Sequence, residues 1–145
     1  MSPEDLLLQA LEANVNGYPL PDDVEEAVSD ALRLHLESGI SLDRALGLTG
    51  GRGRNARTKA KIKIRNDNLR KAFDLFSDYW SFSEAIDILM EEVNLFLEQK
   101  YAPYFVNGMD EDADLLDVYI AKAVFVVGGR MPRSKEQYIR IINMG

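Results

Sequence analysis

Capped, apolar-striped segments of helical period recur along almost the whole chain, and they constrain it to an α-helical fold before any other property is considered. The clearest runs from about Asp22 to Ser38. There Val24, Ala27, Val28, Ala31, Leu32 and His35 fall at i, i+3, i+4, i+7 spacing, which places them on one face of a helix and marks that face as core. Gly39 ends the segment. Upstream, Ser2 is positioned to cap a first helix with Pro3 at its first position, where the missing N–H costs nothing. Leu7, Ala10 and Leu11 follow at helical spacing, and Gly17 is the expected stop. Between the two helices, Tyr18-Pro19-Leu20-Pro21 predicts a short extended connector, because each proline biases its predecessor away from the α region.

The pattern continues beyond Gly39. Ser41 to Leu46 reads as a short capped turn of helix. Gly47-Leu48-Thr49-Gly50-Gly51-Arg52-Gly53-Arg54 predicts a loop, with four glycines in seven positions. From Asn55 to Trp80 two templates compete. Ile62, Leu69, Phe73, Phe76 and Trp80 are spaced as in a helix, whereas Lys59-Ala60-Lys61-Ile62-Lys63-Ile64-Arg65 alternates as in a strand. The helix is favoured because the remaining chain reads helical; the alternative is an α+β fold whose small sheet uses residues 59–65, with strand partners at 123–127 and 139–142. Ser81-Phe82-Ser83-Glu84 is a capping-box pattern opening a helix that carries Ile86, Leu89, Met90, Val93 and Leu97 on one face. Pro103 and Asn107-Gly108 mark a turn. A further helix is expected from near Asp110, with Leu116, Tyr119, Ile120, Ala123, Val124 and Val127 buried, and Gly128-Gly129 as its end. Ser134-Lys135-Glu136-Gln137 opens a last short helix. The expectation is one all-α domain over 1–145, of about six or seven helices, with a basic Gly/Arg-rich loop and arm at 50–71.

Composition narrows the function classes. At 145 residues, 46% of them hydrophobic, the chain can bury a core without disulfides or metals. It has no cysteine and one histidine, which excludes a disulfide framework, a thiolate zinc site, a cysteine nucleophile and a multi-histidine metal centre. No run approaches the roughly 18 apolar residues of a membrane span. Met1-Ser2-Pro3-Glu4-Asp5 is acidic where a secretory signal is basic, so a cytoplasmic protein with no membrane partner is expected.

The formal net charge of −7 conceals a strong asymmetry. Residues 52–71 hold Arg52, Arg54, Arg57, Lys59, Lys61, Lys63, Arg65, Arg70 and Lys71 against Asp67 alone, a net of +8, which leaves −15 on the other 125 residues. Such a cluster beside glycines suits a phosphate backbone, because each cation that neutralises a phosphate releases counterions and glycine lets backbone N–H groups approach closely. Arg52, Arg54, Arg57, Lys59, Lys61, Lys63 and Arg65 are therefore the candidate contacts to DNA or RNA. On a helix these positions fan around the axis, which also suits the alternative. In that alternative the arm packs on an acidic surface, the protein's own or that of a partner subunit, and the chain is a protein-interaction module, either a homo-oligomer or an acidic inhibitor or adaptor of a basic partner.

No catalytic constellation emerges, and a non-enzymatic protein without cofactor or metal is expected. Asp110, Asp112 and Asp114 have the opening spacing of a calcium loop, but Leu115 stands where glycine is needed and Ala121 where a bidentate glutamate should be. His35 lies on the apolar stripe of its helix, the position of a satisfied core histidine. The glycine-rich stretch lacks the Gly-Lys-Ser/Thr ending of a P-loop. Tyr79, Trp80, Phe82, Tyr101, Tyr104 and Phe105 could stack on bases, but at helix ends and turns such side chains more often clamp helices together. Arg130-Met131-Pro132-Arg133 forms a second small basic spot.

Three fragments resemble those of small, uncharacterised bacterial and phage-associated helical proteins. They are Gly17-Tyr18-Pro19-Leu20-Pro21-Asp22, Leu42-Asp43-Arg44-Ala45-Leu46-Gly47-Leu48, and Pro132-Arg133-Ser134 with Gln137 and Arg140-Ile141. Together they cover under a fifth of the chain. The resemblance implies a bacterial or phage origin and transfers no functional residue.

Overall fold

Eight α-helices follow one another without a strand among the described residues: α1 (Pro3–Asn16), α2 (Asp22–Ser38), α3 (Leu42–Ala45), α4 (Gly50–Asp74), α5 (Phe82–Gln99), α6 (Tyr101–Asn107), α7 (Leu115–Val126) and α8 (Lys135–Asn143). A computed structural model describes residues 2–47 and 50–144, with Glu4 and residues 50–56 described by backbone alone. The fold is all-α. Residues 59–65, 123–126 and 139–142, which alternate or cluster in ways a strand could use, are helical.

Local chemistry sets most helix boundaries. Ser2, Ser41, Ser81, Asp114 and Ser134 each cap a helix, accepting from the backbone N–H three residues on, and so satisfy a donor the helix itself leaves open. At Ser134 the reciprocal half is also present: Gln137 Oε1 accepts from the Ser134 N–H at 3.2 Å, completing the capping box. α1 closes in a left-handed turn at Gly17 (φ 71°), with the Tyr18 N–H reaching the Ala13 carbonyl at 2.9 Å, the pairing of a Schellman motif.

Four boundaries differ from the sequence expectation. α4 starts at Gly50, so Gly50 to Arg54 are helical rather than loop; Gly47 (φ 79°) keeps the turn, and Leu48 and Thr49 lie outside the described residues. Glycine in a helix costs only about 1 kcal/mol relative to alanine, and extending a nucleated helix gains one hydrogen bond per residue added. At its other end α4 stops at Asp74, short of Trp80, where bonds from Leu75 to Ala72 and from Phe76 to Phe73 (both 3.2 Å) tighten the chain into turns. Pro103 sits in the first turn of α6, where a proline is tolerated, so a short helix replaces the expected turn. α7 begins at Leu115 rather than near Asp110, because Asp114 is the acid that caps it.

The chain divides into two compact units, Met1–Lys63 and Ile64–Gly145. In the first, α2 packs on both α1 and α3. Among the described residues its buried apolar side chains are Leu6, Ala13, Val24, Ala31 and Ala60, most of them small. Of the α2 stripe, Val24 and Ala31 are buried, Ala27, Val28 and His35 are half-buried, and Leu32 is 43% exposed. His35 is satisfied as expected, its Nδ1 hydrogen-bonded to the Ile40 carbonyl.

The second unit is built on α5, which packs against α6, α7 and α8. Ala85, Ile86, Leu89, Val93 and Phe96 of α5 meet Leu69, Ala72 and Phe73 of α4, Ile120, Ala123 and Val124 of α7, and Tyr138 and Ile141 of α8 in one cluster. Burying a leucine- or phenylalanine-sized side chain contributes about 1.5–3 kcal/mol, so this cluster dominates the unit's stability. Aromatic side chains finish it: Phe96 meets Tyr104 edge-on at 5.7 Å, Phe73 meets Phe82 at 5.6 Å, and Tyr101 stacks on Phe125 at 5.1 Å. Tyr101, Tyr104 and Phe82 therefore clamp helices. Tyr79, Trp80 and Phe105 are exposed.

Candidate nucleic-acid interface

The basic cluster lies on one continuous helix, α4, and its members have different surroundings. From Arg44 to Asn66 the chain contains no acid, although it has 24 in all. Within the first unit, residues 1–47 carry ten acids against two bases, and residues 48–63 carry six bases and no acid. α4 has no acid in its first turn, where α2 has Asp22, Asp23 and Glu25. Acids suit the positive end of a helix dipole and cations oppose it, so the sequence at the start of α4 adds positive charge to the positive end of its dipole.

Helical geometry sorts the cations of the first unit into two pairs. Lys59 and Lys63, four residues apart, share an exposed face. Arg57 and Lys61, also four apart, lie on a different face and edge a groove whose opposite wall is Leu7, Ala10, Leu11 and Asn14 of α1. Arg57 is ion-paired with Asp43 of α3, an exposed pair of the kind worth at most about 1 kcal/mol. Arg52 and Arg54 lie on the α4 backbone, and their side chains lie outside the described residues.

In the second unit the cations of α4 serve the fold. Arg65 is half-buried, its Nε donates to Asn66 Oδ1 at 3.0 Å, and burial lowers its pKa from the ordinary arginine value, partly offset by the Tyr138 phenol. Arg70 is held by Asp67 at 2.6 Å and donates to the Ile141 carbonyl at 2.8 Å. Lys71 lies 5.9 Å from the centre of the Tyr119 ring, within cation–π range. Arg130 and Arg133 are exposed in the turn before α8, where the Arg133 N–H is bound by Gln137 Oε1 at 2.8 Å.

Of the seven candidate contacts, then, Arg57, Lys59, Lys61 and Lys63 are exposed, Arg65 is half-buried in its own unit, and the side chains of Arg52 and Arg54 lie outside the described residues. The sequence shows the fan of charge but not this partition, since Asp43, Tyr138 and Ile141 belong to other helices. Among the described residues, no group of His, Asp and Glu side chains is arranged to hold a metal ion, and no helix is long and apolar enough to cross a membrane. No protein-family model, curated protein or solved structure matches the chain.

Proposed function

We propose that the chain is a small non-enzymatic protein that binds nucleic acid through the first half of α4, with Lys59 and Lys63 as the central phosphate contacts. The observation that carries this reading is the exposed Lys59–Lys63 face in an acid-free run of 23 residues, 44–66, within an otherwise acidic chain. Lysines one helical turn apart match the repeated negative charge of a phosphate backbone, and each neutralised phosphate releases counterions. Lys61 and the backbone-placed Arg52 and Arg54 extend the same charge along the helix, while Arg65 anchors the second unit. The short motifs that resemble those of bacterial and phage-associated helical proteins are compatible with this role, which needs no cofactor. In a mobility-shift or anisotropy titration at low ionic strength, duplex DNA and single-stranded RNA are the probes. Binding that weakens steeply with salt and is reduced by Lys59→Glu with Lys63→Glu supports the proposal; no binding to either probe at low ionic strength overturns it.

A further inference from the structure

The first unit carries an apolar groove and, elsewhere on the same unit, an apolar ridge of complementary charge. The groove, about 320 Å³, has Leu7, Ala10 and Leu11 on one wall and Ala60 on the other, edged by Arg57 and Lys61. The ridge is on α2, where Leu32 and Leu36 stand one turn apart, 43% and 80% exposed. Glu25 lies seven residues before Leu32 and so on the same face of the helix. α2 holds six acids against a single arginine. An exposed leucine alone is ordinary. Two at helical spacing, on a unit whose own buried core is mostly alanine, are apolar surface that the unit does not cover.

We propose that this groove is filled by the Leu32–Leu36 ridge of α2 from a second copy of the chain, so that the protein is a dimer. Apolar character and charge both match. The groove is apolar with a cationic edge, and the ridge is apolar on an acidic helix, so potentials of opposite sign meet across the contact. Because each copy owns one groove and one ridge, a two-fold arrangement makes the contact twice and closes on itself. Lys61 of one copy meets Glu25 of the other at the edge, and the Lys59–Lys63 face stays outside the contact. The inference does not rest on the nucleic-acid reading.

The test is the mass of the full chain in solution, by light scattering and sedimentation over a concentration series. A dimer is expected. Leu36→Glu should weaken it at least about tenfold without loss of helix signal, since that side chain is largely solvated already. Lys61→Glu should weaken it too, and Glu25→Lys added to Lys61→Glu should restore it. A monomer at every concentration overturns the proposal, whether or not its groove takes up an anionic amphiphile such as dodecanoate. So does a dimer indifferent to Leu36→Glu, or a charge exchange that fails to restore association.

Discussion

Arg70 of α4 donates through Nη1 to the carbonyl of Ile141 at 2.8 Å, joining positions 71 residues apart in the chain. Ile141 lies in the last turn of α8, where its carbonyl accepts a long 3.3 Å bond from the Met144 N–H and the helix dipole is negative. A cation here therefore suits the helix terminus, and Asp67 at 2.6 Å from Nη2 holds the guanidinium in place. Arg70→Ala is expected to lower the unfolding free energy by about 1–2 kcal/mol in chemical denaturation. Arg70→Lys should recover part of that, because an ammonium keeps the charge but cannot reach both partners through a planar fork.

Tyr138 is almost fully enclosed, and burial pushes its phenol up to about 12, with Arg65 pulling the other way. A raised pKa in the folded state stabilises the fold fully below the ordinary value of 10 and loses that contribution as pH rises through about 12. Tyr104 is raised in the same direction, first by burial and then by Asp110 and Asp117. Stability should therefore decline between pH 10 and 12. Tyr138→Phe should flatten that decline, losing on the order of 2 kcal/mol of pH dependence, when denaturant midpoints are compared across the range.

Asn68 is buried, and its Oδ1 has no hydrogen-bond partner, while its Nδ2 donates back to the Ile64 carbonyl at 2.9 Å. That carbonyl already belongs to the helix ladder, so the side chain gains little and leaves an acceptor desolvated. Asn68→Leu removes the unpaired oxygen and improves helix propensity. It is expected to raise stability by about 1 kcal/mol in thermal or denaturant unfolding, and Asn68→Asp to lower it by more than that. A destabilising Asn68→Leu would mean that the oxygen binds something specific.

The elements that could be read in advance are those whose signals are local. The caps at Ser2, Ser81 and Ser134, the stop at Gly17 and the stripe Ile86, Leu89 and Val93 each declare themselves within one or two turns. Misplaced boundaries come where local preference is weak beside cooperative extension, as at Gly50–Gly53, or where a proline can sit in a first turn, as at Pro103. The basic cluster was visible as charge, but not as separate groups. Whether a lysine or arginine faces solvent depends on Asp43, Tyr119, Tyr138 and Ile141, none of which is near it in sequence. The exposure of Leu32 was equally hidden, because a helical stripe says which residues share a face but not how much of that face is covered.

The partition of the cluster makes a prediction that net charge alone does not. If Lys59 and Lys63 contact phosphates, Lys59→Gln and Lys63→Gln should each reduce the slope of log affinity against log salt by about 1 on duplex DNA. Arg70→Gln removes a charge of the same sign from the same helix, but one already engaged by Asp67 and the Ile141 carbonyl. It should lower the melting temperature and leave the salt slope unchanged, whereas each of the two lysine changes should reduce the slope. A uniform electrostatic attraction would make all three substitutions equivalent in binding, so equal slopes would locate the interaction in the field of the whole helix and not in the Lys59–Lys63 face.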